Sequence, residues 1–328
     1  MAKLYETQPS SESAVYVADG DWQPDFTFDV LDPEVAIDGV LSFLRERVSA
    51  VIENNDDNVT VMLSGGIDSI LLSAVVSQMV PHAQAITFAQ PGSIQGNDEA
   101  KSASKVASQL GLKHKIVAPT NAEYMNTVRS VVGRLDSAEP WEVIAGATLA
   151  SITNQAPDGL LLSGAGADAL LLGGEKLQFS HLDANRTDLW AQKVTDKIRS
   201  NFTRHRFIPD FYERIIDNNP DRHIQIWQDL SAVELIQKIH PDLIRGSEWK
   251  QDKLVLRQAA MKLGIPQEIA FRKKNPMQES GGGLESIISE SRNQLSSIYG
   301  EKTYSDPLTE SIEWTAARLT LLRILDEF

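Results

Sequence analysis

Val59-Thr60-Val61-Met62-Leu63-Ser64-Gly65-Gly66-Ile67-Asp68-Ser69, continued by Ile70-Leu71-Leu72-Ser73-Ala74-Val75-Val76-Ser77-Gln78-Met79, is the stretch on which the fold turns. VTVML at 59–63 reads as a short strand, and ILLSAVVSQM at 70–79 as an amphipathic helix. A strand that passes into a helix through two glycines makes an anion site. Gly65 and Gly66 let the backbone approach phosphates, and the N–H groups of the loop and helix start point at them. Ser64 and Ser69 add hydroxyl donors. Asp68 cannot bind phosphate itself, so it reads as a holder of Mg²⁺ that bridges phosphate oxygens. No GxxxxGK[ST] occurs there, so this is not a Walker loop. The plainer alternative is a glycine turn with Asp68 as a first-turn charge.

Moving outward, QAITFA at 84–89, HKIV at 114–117 and GLLLSG at 159–164 read as further strands. Helical patterns cover 35–52, 98–110, 121–133 and 142–153. Strands alternating with helices at these lengths predict a doubly wound parallel sheet with helices on both faces. From about 185 the strand signals stop. TDLWAQKVTDKIRSNF, LSAVELIQKI, WKQDKLVLRQAAMKL and TESIEWTAARLTLLRILDEF carry helical periodicity. The expected organisation is an extended N-terminal arm (1–34), an α/β nucleotide domain (35–184) and a mostly helical region (185–328) that completes the site. Glycines 281–283 and the SDP at 305–307 are expected to be mobile loops.

A second glycine turn follows the strand at 160–162: Ser163-Gly164-Ala165-Gly166-Ala167-Asp168, ending in Leu172-Gly173-Gly174. Ser163, Gly164 and Gly166 are read as nucleotide-loop residues, and Asp168 as placed to share magnesium with Asp68. The alternative is a turn between strand and helix.

Composition narrows the field. The 328 residues carry a net charge of −14, poor equipment for wrapping a nucleic-acid backbone. There is no cysteine, which excludes disulfides, thiolate-bound metals and cysteine nucleophiles. No signal core or membrane-length apolar run is seen, so the expectation is a cytoplasmic, soluble chain with no membrane partner.

The first loop resembles that of the ATP pyrophosphatase superfamily. The second resembles the SGxGxDExxxGGY signature of its asparagine synthetase and β-lactam synthetase-like members, with Ala169 in place of the usual Glu and Glu175 in place of Tyr. Pro91-Gly92-Ser93, Asn97-Asp98-Glu99-Ala100 and Val106 to Gly111 resemble another segment of this family; Asn97 or Asp98 reads mainly as a helix cap.

What the resemblance implies is an adenine nucleotide alpha hydrolase-like (HUP-type) fold, ATP and Mg²⁺ as cofactors, and Leu63 and Phe88 near adenine. It further implies that Glu139, in Ser137-Ala138-Glu139-Pro140-Trp141, lies beside an acyl-adenylate as a buried carboxylate that helps a nitrogen nucleophile. The competing reading of Glu139 is a helix-start acid before Pro140. Lys274, in Phe271-Arg272-Lys273-Lys274, matches the lysine that reaches the α-phosphate, with Lys273 as the substitute; a solvated basic run is the alternative. Lys253 and Arg257, one helical turn apart, are read mainly as structural.

The implied activity is ATP-dependent amide-bond formation between a small-molecule carboxylate and ammonia or an amine. No counterpart of the family's N-terminal glutaminase domain is seen, so nitrogen is expected from ammonia, an amine or a separate glutaminase. NAD or GMP synthetase-like chemistry and a non-catalytic nucleotide-binding module remain as rivals, and a homodimer is left open.

Overall fold

The computed structural model describes residues 3–53, 58–90, 94–206, 208–216, 219–272, 281–299 and 306–326. The helix α1 (Pro33–Ile52) opens the compact part of the chain, its first N–H groups accepted by the Asp32 carboxylate and its first turn preset by Pro33. Then follow β1 (Val59–Met62), α2 (Ile67–Met79), β2 (Gln84–Phe88), α3 (Ile94–Gln109) and β3 (Lys113–Val117). Next come α4 (Asn121–Leu135), α5 (Pro140–Thr153), β4 (Leu160–Ser163), α6 (Ala167–Leu171), α7 (Arg186–Asn201) and α8 (Phe211–Ile215). The remainder is β5 (His223–Gln225), α9 (Leu230–Lys238), α10 (Pro241–Arg245), α11 (Leu254–Lys262), α12 (Gln267–Ala270), α13 (Gly283–Tyr299) and α14 (Ile312–Asp326).

The five strands form one parallel sheet in the order β3-β2-β1-β4-β5. Alternate side chains of each strand face opposite sides, and two cores result. Val61, Leu63, Ala85, Leu160 and Leu162 pack with α1, α2, α3, α7, α9 and α11 on one side. Ile86, Phe88, Val117 and Leu161 pack with α4, α5 and α8 on the other. The doubly wound α/β fold expected from the alternation is therefore the one observed, with a helical C-terminal region.

Several local expectations need correction. A fifth strand lies beyond 185: β5, whose residues 223–225 pair with β4. Three residues are too few to display an alternation, so it left no signal. The helix α3 begins at Ile94, which puts Asn97 and Asp98 inside it rather than at its cap. The run at 249–263 is helical only from Leu254; Trp249 and Lys253 both have positive φ, +52° each, which breaks the pattern. Glycines 281–283 are buried, not loop tips: the Gln90 N–H donates to the Gly281 carbonyl (2.9 Å), and a side chain at 283 would run into Tyr124. Ser305 of the SDP stretch lies outside the described residues.

The N-terminal segment is extended but firmly held. The Gln225 N–H donates to Ser13 O and the Val15 N–H to Gln228 O, so the chain runs along the outer edge of β5. Glu234 accepts from the Glu6 and Thr7 N–H groups. The fully buried Arg47 of α1 donates to Glu12 O (2.5 Å) and faces Asp229 at 3.5 Å. Asp229 in turn accepts the Ser10 N–H.

Candidate active site

The strand order reverses between β1 and β4: β2 and β3 build outward on one side, β5 on the other. Crevices at the carboxyl ends of strands at such a reversal are where doubly wound proteins bind ligands. β1 and β4 run side by side with Val61 opposite Leu162, so the loops that leave them are neighbours. This register brings residues a hundred positions apart to one point.

Ser64 to Gly66 cross from β1 into α2, whose N-terminus is at Ile67. The Ser69 hydroxyl accepts the Ser64 N–H (3.0 Å) and lies 2.9 Å from the Ser64 hydroxyl, folding the loop on itself. Ser69 is thus a brace of the loop, its hydroxyl also donating to Ser64 O and Gly66 O. The Gly65 N–H donates to Glu99 Oε1 at 3.0 Å, from the buried start of α3. The sequence assigns Glu99 no role, because nothing in its spacing ties α3 to the loop after β1. Arg272 lies against Gly65 so closely that a side chain there would strike its guanidinium.

In the second loop Gly166 has φ +100°, and a Cβ on it would come within 2.8 Å of the Trp227 backbone. Only glycine fits. Ser163 does not present its hydroxyl freely: Oγ donates to Ile224 O (3.3 Å) and lies 3.0 Å from His223 Nε2 on β5. Burial pushes the His223 imidazole down to about 4, so it is neutral around pH 7. Gly164 packs against Asp68, its virtual Cβ 3.0 Å from Asp68 Cβ, which locks the two loops together.

Asp68 and Asp168 converge as the sequence reading expected, and between them stands Lys253. Its Nζ lies 2.5 Å from Asp68 Oδ2 and also contacts Asp168 Oδ1. Burial raises the Asp68 carboxyl to about 6, opposed by Lys253 and assisted by Asp168. Burial alone would depress the Lys253 ammonium, yet the two carboxylates outweigh it and hold it above the usual lysine range. Gly173 lies against both side chains, so that a Cβ there would displace the Asp168 carboxylate and the Lys253 side chain.

The structural reading of Lys253 is therefore corrected: it is the residue before α11, in left-handed conformation, with its side chain in the site. The signal available was its place in a KxxLRxA segment before a helix of buried residues, since a buried lysine needs carboxylate partners. Arg257 is structural, donating to Asp252 O and Ala270 O, both at 2.5 Å.

Leu63 and Phe88 are core side chains, 2% and 5% exposed, and the Phe88 ring packs on Tyr124. Glu139 is exposed rather than buried; it caps α5 as its last non-helical residue, and its N–H donates to Ser137 Oγ (3.1 Å). Its carboxylate makes no hydrogen bond among the described residues, while the neighbouring Glu142 accepts from Ser137. Lys273 and Lys274 lie outside the described residues. Ala169 is buried in the core and Glu175 pairs with Lys193 and Lys197, so neither departure faces the two carboxylates.

The donor set suits magnesium. Asp68 Oδ1 is buried without a hydrogen-bond partner, and the two carboxylates already share one cation. No cluster of three or more Asp, Glu, His or Cys is found among the described residues. Mg²⁺ takes one or two carboxylates and leaves its other positions to water and phosphate, so two aspartates are enough.

A doubly wound α/β protein with paired glycine loops at its strand reversal belongs to the nucleotide-binding class. The family model for asparagine synthase matches residues 40–238, more than half of the chain, and the protein belongs to that family. The match spans both loops and all five strands. Members of the family are in general ATP-using synthetases of the ATP pyrophosphatase type. No curated protein matches the chain. Among the described residues no helix is long and apolar enough to cross a membrane.

Proposed function

We propose that the protein is an ATP-dependent carbon–nitrogen ligase that adenylates a small-molecule carboxylate, releases pyrophosphate and passes the acyl group to ammonia or an amine. The observation that carries this reading is the meeting of Asp68 and Asp168 from two separate glycine loops at one cation position. In the family to which the chain belongs, such loops serve ATP.

The N-terminus of α2, at Ile67 to Ser69, is assigned to the β- and γ-phosphates, while the Ser64 and Gly66 N–H groups donate within the loop to Ser69 Oγ and Ser64 Oγ. Mg²⁺ held by Asp68 and Asp168 would neutralise charge on the departing pyrophosphate. Gly65 N–H, now bonded to Glu99, becomes a phosphate donor once that carboxylate yields. Lys274 is assigned to the α-phosphate, where charge builds as the carboxylate attacks. Glu139, exposed and without a hydrogen-bond partner among the described residues, is assigned to receive the proton of the attacking amine. Leu63 and Phe88, at the carboxyl ends of β1 and β2, are assigned to the adenine position, which their backbones rather than their buried side chains would border.

The test is a pyrophosphate-release screen of candidate acids crossed with ammonium and amines, with and without glutamine. The expected result is Mg²⁺-dependent pyrophosphate and AMP with one class of acid, unsupported by glutamine alone. Release of ADP and phosphate, or of nothing with any acid, would reject the reading.

A further inference from the structure

The Lys253 ammonium bridges Asp68 and Asp168, the place a metal shared by the pair would take, and among the described residues leaves Asp68 Oδ1 without a hydrogen-bond partner. It is the only cation in contact with both carboxylates among the described residues, 2.5 Å from Asp68 Oδ2 and touching Asp168 Oδ1. The lysine side chain is 6% exposed, whereas Asp168 is 73% exposed, so the ammonium lies on the inner side of the pair. Its backbone is held at φ +52°, a left-handed conformation unusual for a residue with a side chain. Gly173 leaves just enough room for its Cε. Magnesium needs carboxylate oxygens at about 2.0–2.1 Å. An ammonium in contact with the same oxygens and a divalent ion cannot occupy that space together, because both volume and like charge forbid it.

We propose that Lys253 and a divalent cation compete for the Asp68–Asp168 pair, the metal entering only as the ammonium withdraws. Lys253 thereby holds the two loops in register in the metal-free protein and keeps the site from binding metal tightly without nucleotide. The withdrawn ammonium then needs an anion, and a nucleotide phosphate is one, so metal and nucleotide favour each other's binding. This rests on the reading of the two aspartates as metal ligands.

The test is direct Mn²⁺ binding, read by the electron paramagnetic resonance of free Mn²⁺, in wild type, Lys253→Met and Asp68→Asn without nucleotide. Wild type is expected to bind weakly, Lys253→Met about tenfold or more tightly, since the competing cation is gone, and Asp68→Asn not measurably. Equal affinity in wild type and Lys253→Met overturns the proposal. Should Lys253→Met fail to fold, the wild-type protein decides by ¹⁵N NMR of the Lys253 ammonium, whose burial slows proton exchange. Saturating Mg²⁺ should shift that signal or remove it, and a signal that stays in place overturns the proposal. Failure of the functional reading looks different: competition would be intact while no acid elicits pyrophosphate release.

Discussion

Three substitutions read the site one residue at a time. Asp68→Asn and Asp168→Asn each keep the shape of the carboxylate and remove its charge. Each is expected to lower pyrophosphate release by at least about 100-fold in folded protein, the scale of losing one preorganised electrostatic contact. Near-normal turnover in either would separate the two loops from the metal. Gly173→Ala tests packing rather than charge. Its methyl group would push on Asp168 and Lys253 together, and a displacement of about 1 Å in such a site costs roughly 100-fold in rate. Thermal unfolding should change little while kcat falls; unchanged kcat would mean that the carboxylates have room to spare. Asp68 and Asp168 were legible from the sequence because each stands in a glycine turn whose chemistry is local. Lys253 was not, because its role depends on a left-handed backbone and on two partners 185 and 85 positions away. Burial of Glu139 was expected on resemblance alone, and the Pro140 that follows it gave the better local clue, a helix start.

At the scale of elements, β5 shows how a three-residue strand can carry a site it does not enter. Its His223 meets the Ser163 hydroxyl at 3.0 Å and so fixes the end of β4, from which the second loop departs. The folded imidazole stays neutral down to about pH 4, whereas in the unfolded chain it titrates near 6.5. Between those values the unfolded state binds more protons, so stability is complete above about pH 6.5 and falls as pH drops toward 4. Replacing His223 by Gln should reduce the loss of unfolding free energy between pH 7 and pH 4.5 by about 2 kcal/mol. Chemical denaturation of both proteins at the two pH values checks this; parallel losses would mean that His223 is hydrated. The strands at 59–62, 84–88, 113–117 and 160–163 were legible because short runs of apolar residues, β-branched in the first three, stand between turns. β5 and the early start of α3 at Ile94 were not, since pairing with a neighbour decides the first and, in the sequence, the Asn97-Asp98 pair competes with Ser93 as a cap for the second.

At the scale of the whole molecule, the N-terminal segment belongs to the fold through Arg47 and Asp229, which are 0% and 1% exposed. Removing one partner of such a pair leaves a buried charge without compensation. Arg47→Met should therefore destabilise by about 3–5 kcal/mol, and the Ser10–Val15 backbone should lose protection from hydrogen exchange in the same variant. Protection that survives would show that the edge bonds to Gln225 and Gln228 hold the segment without the ion pair. The doubly wound parallel sheet was implied by the alternation of elements, but the strand order and the position of the arm were not. The arm's contacts are hydrogen bonds to β5, to the Glu234 carboxylate of α9 and to Arg47, with single core side chains such as Tyr5 and Val17, which leave no periodic trace in the chain.

The central claim is that two loops from adjacent strands hold one Mg·ATP. A crystal structure with Mg²⁺ and α,β-methylene-ATP, whose α–β bridge cannot be cleaved, tests it most directly. The expected result is a metal ligated by both Asp68 and Asp168, with the β- and γ-phosphates on the N–H groups of residues 65 and 67–69. A nucleotide bound elsewhere, or a metal that touches neither aspartate, would contradict it.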